Sequence, residues 1–295
     1  MLRVLARSLI LWDEVEPAST WIEKQIPSVV RKTYLKMQAS AKKTADIALG
    51  RFDHDMADEM SGSHQRSGSL SQGQQQGGRS SNLAAESGQD FQGDHDVDRQ
   101  TVRQIHAYIV AGSCFSMGLR FAGTADARAA SAITEVLLEM KSFRDSNDPV
   151  PVALRPEEPI VGMCLGLCAV SLALVMAGTG DLETLRLFKT IRWRSDDSIR
   201  HGAHMATSAS IGLLFLGGGM CTIGRSAEDI AALVAAFFPR FPMDSTDNKY
   251  HLQALRHMYA LAVRQRHVQA FDVDSEEGVS VLVEVSSLEV IVFFW

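Results

Sequence analysis

Three stretches of this chain share one pattern of apolar and polar positions. Ile105 to Thr124, Ile160 to Thr179 and Ile199 to Gly218 align without a gap. One set of aligned positions holds Ala111, Gly166 and Met205. The next hold Cys114, Ala169 and Ser208, then Gly118, Ala173 and Gly212, then Ala122, Ala177 and Leu216. Within each stretch these positions advance by three or four residues, the spacing of one helical face. Ten of the twelve residues are small. Two further sets are large and apolar: Met117, Leu172, Ile211, and Phe121, Met176, Phe215. The pattern predicts one helix per copy. Its small-residue face lets neighbouring backbones approach, and its bulky face fills the space behind.

The segment after each helix also repeats. Gly123, Gly178 and Gly217 stand where a glycine in the left-handed conformation ends a helix. Thr124-Ala-Asp126, Thr179-Gly-Asp181 and Ser226-Ala-Glu-Asp229 then offer side-chain oxygens to the free amides of a new first turn. Second helices are predicted over Asp126–Phe143, Asp181–Trp193 and Ala227–Phe238. The unit is helix, glycine turn, helix, and units of this size stack into solenoids or rings that work by presenting surfaces. The predicted fold is mostly α: a segment of a helix–turn–helix repeat solenoid or ring, with a short C-terminal β segment.

The rest of the chain divides around these copies. Residues 1–49 read as a helical N-terminal segment, with Pro17 and Pro27 as breaks or helix starts. Residues 50–100 are rich in Gly, Ser, Gln and acidic residues, a composition that buries too little apolar surface to offset chain entropy, so a disordered linker is expected. The three helical repeats occupy 101–238. Within them the loop Arg144–Pro159 holds four of the eight prolines. Residues 239–267 are expected to cap the stack with a helix over Thr246–Val263, carrying Leu252, Leu255, Tyr259 and Leu261 near one side. From 268 to 295 alternation and β-branching point to the start of a truncated β-rich region, most strongly at Val279–Val285. No repeat precedes the copy at Ile105, so its upstream face is expected to be apolar and exposed, except where residues 1–49 cover it.

Composition narrows the function. The formal net charge is −6 and the pI about 5.8, which argues against a nucleic-acid footprint. Cys114, Cys164, Cys168 and Cys221 all lie in apolar context and read as reduced, buried thiols. The basic and apolar start, Met1 to Arg7, lacks the sustained apolar core of a signal peptide. Ile160–Gly178 is uncharged and long enough to span a bilayer, and Ala203–Gly224 is nearly as apolar. The equivalent first stretch carries His106 and Arg120, and the third carries His201 and His204. Equivalent helices of a repeat share an environment, so buried solenoid helices are the preferred reading over membrane spans.

Candidate chemistry is sparse. His201 and His204 share one helical turn with Cys221 further along, but a zinc site needs four ligands and the sequence supplies no second pair. Cys164 and Cys168 share a face, with no cation or base nearby to lower a thiol pKa. The glycines at Gly178 and Gly217 follow helices, whereas a phosphate loop follows a strand and ends in Lys-Ser/Thr. Asp244 to Tyr250 reads as a helix start. No nucleophile–base pair has meaningful spacing. The expectation is therefore no catalytic residue, no cofactor-binding residue, no metal ligand and no small-molecule substrate.

A resemblance adds to this. Gly217-Gly-Gly-Met220, Ile230-Ala-Ala-Leu233, Phe238-Pro-Arg-Phe-Pro242 and the run Asp244 to Tyr259 closely resemble the largest scaffold subunit of the anaphase-promoting complex, or cyclosome. Leu9 to Pro17, with Trp21 and Pro27, looks like the family segment before its last repeats; Phe121-Ala-Gly123 and Met176-Ala-Gly-Thr-Gly180 match as well. The likeness covers residues 1–49 and about 101–285. It implies proteasome/cyclosome repeats, whose inner helices line a closed or nearly closed ring. It implies a platform without an active site in a cullin–RING-type ubiquitin ligase that acts on mitotic regulators in nucleus and cytoplasm. The implied partners are the cullin–RING module and the tetratricopeptide-repeat subunits, with no nucleic acid, membrane or small molecule. The family's β-propeller region and most of its repeats are absent, and the end from Ser286 to Trp295 leaves its pattern, so a fragment is expected. The competing readings are a free-standing helical-repeat adaptor, a polytopic membrane protein and a small metalloenzyme using His201 and His204.

Overall fold

A computed structural model describes residues 1–48, 98–145, 150–192, 201–242, 244, 246–247, 250–266, 270–275 and 277–279. The three repeats supply their first helices as α4 (Arg99–Arg120), α6 (Glu158–Val175) and α8 (His201–Leu214). Their second helices are α5 (Ala127–Arg144), α7 (Leu182–Arg192) and α9 (Ala227–Ala236). The first helices stack side by side, α4 on α6 and α6 on α8. Each second helix lies against the first helix of the next unit: α5 on α6, α7 on α8, and α9 on the 3-10 helix Arg256–Ala262.

The caps follow from the residues at the turns. Asp126 accepts from the amides of Arg128 and Ala129, both at 2.9 Å, and Asp181 accepts from Thr184 at 2.7 Å. Thr124 donates to the Phe121 carbonyl at 2.7 Å, and Thr179 donates to that of Met176 at 2.8 Å. Ser226 and Asp229 form a reciprocal capping box. These local bonds make three sequence-distant turns adopt one shape.

The turns then join the units. A helix leaves its last carbonyls without partners. Those of α6 are taken by the preceding turn: Gly123 donates to Leu174 at 2.7 Å and Ala125 to Val175 at 3.0 Å. The next turn repeats this on α8, Gly178 to Leu213 and Gly180 to Leu214, both at 2.9 Å. Gly224 donates to Ala262 at 2.7 Å. The segment 250–262 therefore takes the place of a fourth first helix. It is not the single helix expected over Thr246–Val263. α10 (Tyr250–Leu255) passes into the 3-10 helix, and Leu255 and Leu261 are exposed at 41% and 65%.

Small residues pack as expected in two of the three copies. A Cβ built on Gly118 would stand 2.8 Å from the Ser171 Cα, and one on Gly166 would stand 3.0 Å from the Ala206 Cβ. Ala111, Cys114, Ala169 and Ala173 are fully buried. In α8 the same face behaves differently. Ser208 and Gly212 are exposed, and nothing lies within 4 Å of a Cβ on Gly212. The segment 250–262 leaves open space there instead of packing tightly.

The N-terminal segment occupies the upstream face of α4. α1 (Leu2–Ile10), α2 (Ser19–Lys24) and α3 (Ser28–Ala48) all pack against α4. Leu5, Val15, Trp21 and Ile22 join the main core. Tyr34 stacks on His106 with centroids 3.8 Å apart. Arg120 pairs with Asp13 at 3.3 Å and lies over the Trp12 ring. The expected bare apolar face is thus covered. Pro17 precedes α2, and Pro27 immediately precedes α3.

Two strands arise where the sequence showed none. β1 (Cys221–Ile223) pairs antiparallel with β2 (Val263–Gln265), Thr222 opposite Arg264. Nearer the C-terminus β3 (Ala270–Phe271) pairs with β4 (Gly278–Val279). Val279 thus opens the strongest strand expectation inside β4, whereas Ser280–Val285, the rest of it, lies outside the described residues. So do the tail Ser286–Trp295 and the linker up to residue 97. Residues 98–100, counted with that linker, already cap and open α4.

The membrane reading meets two findings. α6 is the one helix, among the described residues, long and apolar enough to cross a bilayer, and 78% of it is buried against the rest of the protein. The second stretch, Ala203–Gly224, is no continuous helix: α8 ends at Leu214 and a glycine turn and β1 follow.

Candidate functional site

The residues singled out for chemistry are scattered. His201 and His204 stand at the start of α8, whereas Cys221 lies past its far end in β1. At 1.5 Å per residue the helix between them separates these groups by about 15 Å. Among the described residues no group of three His, Cys, Asp or Glu is placed to share a metal. Cys164 and Cys168 are buried on α6, and Cys168 lies beside Cys114 of α4. Burial pushes the Cys164 thiol well above its ordinary pKa, and the Cys114 contact together with burial does the same for Cys168. Thiols held protonated in this way are core residues, not nucleophiles. Asp244 caps Thr246, accepting from its amide at 2.8 Å.

The arrangement that the fold does build is a ridge of turns with a strand laid across it. Gly123, Gly178 and Gly217 have φ of +67°, +71° and +59°. β1 crosses all three. A Cβ on Gly123 would stand 2.5 Å from the Thr222 Oγ1, one on Gly217 would stand 2.6 Å from the Cys221 Sγ, and one on Gly178 would overlap the Cys221 carbonyl oxygen. Thr222 donates to the Gly123 carbonyl at 3.1 Å, and Arg266 donates to the Ala177 carbonyl at 2.9 Å. Gly123 and Gly178 therefore meet two demands, a left-handed turn and the close passage of another chain segment. Their spacing was legible; the strand was not, because three residues give no periodicity.

Arg256 is a second organiser. Its guanidinium donates to the carbonyls of Ala236, Phe238 and Arg240 at 2.7–2.9 Å, closing the end of α9 onto the following segment. It also stacks on the Phe241 ring at 4.1 Å. Burial lowers its pKa to about 10. Asp229, nearly fully buried, accepts from Arg264 of β2 and so ties α9 to the strand pair. Arg256 thus fixes backbone, and Arg264 fixes the carboxylate of a helix cap.

The sequence that builds this stack matches a known domain. The family model described as the APC1 fifth domain matches residues 1–264. The chain belongs to the anaphase-promoting complex subunit 1 family. It is 32% identical over 291 residues to anaphase-promoting complex subunit 1 of Mus musculus, covering 97% of this chain and 12% of the mouse protein. The Arabidopsis thaliana relative is 33% identical over 303 residues, covering 98% of this chain and 15% of that protein. A relative from Emericella nidulans, named a negative regulator of mitosis, is 30% identical over 289 residues, covering 97% of this chain and 11% of its own length. This chain therefore spans a small part of the subunit 1 relatives it matches. The match also runs through residues 49–97, which the repeat pattern does not reach.

Proposed function

We propose that this chain is a non-catalytic scaffold piece of an anaphase-promoting complex, acting in nucleus and cytoplasm. It holds one sector of the platform that joins the cullin–RING module to the tetratricopeptide-repeat subunits, so that mitotic regulators receive ubiquitin. The observation that carries the reading is the repeated turn-to-helix ladder. Gly123, Gly178 and Gly224 each give a backbone bond to the next unit. Backbone bonds of that kind fix unit against unit, as a platform requires. Family membership supplies the complex. The groups singled out for chemistry fit the role: Cys164 and Cys168 lie in the core, and His201 and His204 stand at the opposite end of α8 from Cys221.

The test is co-expression of the tagged full chain with the cullin–RING and tetratricopeptide-repeat subunits, followed by purification and mass spectrometry. The scaffold reading expects those subunits in near-stoichiometric yield. A chain that purifies alone, folded by circular dichroism, sinks it.

A further inference from the structure

Two open cavities lie on either side of Phe241. The first, of about 460 Å³, opens between the N-terminal parts of α6 and α8, with Tyr108, Met163 and Pro242 on its walls. The second, of about 450 Å³, lies between α8 and the segment 250–262, with Met205, Leu213 and Tyr259 on its walls. Phe241 borders both and is held in place. It lies against α8 so closely that a Cβ on Gly202 would stand 2.6 Å from its own Cβ.

Each cavity contains one glycine that packing does not require. Gly162 inside α6 borders the first, and Gly212 inside α8 borders the second. Nothing lies within 4 Å of a Cβ built on either, and neither has a positive φ. Glycine weakens a helix relative to alanine. At these positions its effect is to keep the cavities open.

The polar groups around Phe241 are incomplete. Both carboxamide atoms of Gln253 and the Nε of Arg256 are buried without a partner among the described residues. Such groups are rare in folded proteins and call for a reason. Turning the Gln253 amide onto a peptide N–H and C=O would break no bond already made. The Arg256 charge meets three carbonyls and, among the described residues, no carboxylate. Arg240, on the wall of the first cavity, forms no ion pair among the described residues. Glu157 stands on the α6 side of the first cavity and accepts from Gln100.

We propose that this cleft binds an extended peptide segment of a partner protein. One apolar side chain enters each cavity astride Phe241, the Gln253 carboxamide pairs with the peptide backbone, and an Asp or Glu of the peptide faces Arg240 and Arg256. The assignment is independent of the scaffold reading: it concerns a surface of the folded chain, whatever assembly holds it.

The test selects phage-displayed random dodecapeptides on the full 295-residue chain. Chains carrying Gly162→Leu or Gly212→Leu serve for counter-selection. Both substitutions project into open space, so they plug the cavities without displacing a neighbour. Enriched peptides are expected to pair apolar residues with an acid. Synthesised singly, they should bind the parent chain and lose about tenfold or more on either Leu variant and on Arg240→Glu. Melting curves check that each variant is folded, and Arg240→Glu, an exposed change, decides the matter if a Leu variant melts early. Failure to enrich any sequence, equal binding to the plugged chains, or indifference to Arg240→Glu overturns the proposal. Enrichment that appears only after removal of residues 280–295 would give the cleft to this chain's own tail and overturn the partner assignment.

Discussion

Gly118 of α4 meets Ser171 of α6 backbone to backbone: a Cβ added to Gly118 would stand 2.8 Å from both the Cα and the carbonyl oxygen of Ser171. Neither atom can swing away without moving a helix. Gly118→Leu should therefore lower stability by about 1–3 kcal/mol or more, the usual cost of overpacking. Gly212→Leu, at the aligned position of α8, should leave it unchanged or slightly raised. Urea unfolding of both variants measures the contrast, and equal losses would show that the open space beside Gly212 is filled in solution.

The turn glycines should tolerate no side chain. Gly178→Ala places a Cβ in a left-handed backbone and against the Cys221 carbonyl. The backbone term alone is roughly 1–2 kcal/mol, and β1 must also lift. A loss above about 2 kcal/mol is expected, with Gly162→Ala as the counterpart that gains about 0.5–1 kcal/mol from helix propensity. Thermal melts that rank the two the other way would undo the account of the ridge.

Ala125 has φ of +54°, where the aligned Gly180 has +63° and Gly219 has +89°. An alanine there is strained, and its amide still completes the bond to Val175. Ala125→Gly should stabilise the chain by about 0.5–1 kcal/mol, the relief of strain exceeding the added freedom of the unfolded chain. Calorimetry showing a lower melting temperature for this variant would count against it.

Burial beside Tyr34 lowers the His106 pKa from 6.5 to about 4. The unfolded chain then binds the extra proton between those values. The stability this gives is fully present above about pH 6.5 and is lost as pH falls toward 4, by at most about 3 kcal/mol. Glu139 acts in the opposite sense, since burial raises its carboxyl pKa and its contribution is lost as pH rises. His106→Gln removes the first effect and leaves the second. Urea midpoints at pH 7 and pH 5 should drop further for the parent than for the variant; equal drops would reject the buried neutral imidazole.

The sequence by itself determined the repeat. The small and bulky columns from Ala111 to Leu216, the turn glycines and the caps at Asp126, Asp181 and Ser226 are local facts. Helical periodicity and first-turn hydrogen bonds act within a few residues, so they are legible in order along the chain. Family membership was legible too, through the run ending at Tyr259. The tertiary structure alone decided which of the aligned faces are filled. Gly118 and Gly212 read alike, yet one touches a helix backbone and the other faces a cavity. It alone placed β1 across the three turns, put residues 1–48 against α4, and brought Phe241, Gln253 and Arg256 together. Each of these depends on where a distant segment comes to rest. That is set by summed packing over many residues, and no spacing within one segment records it.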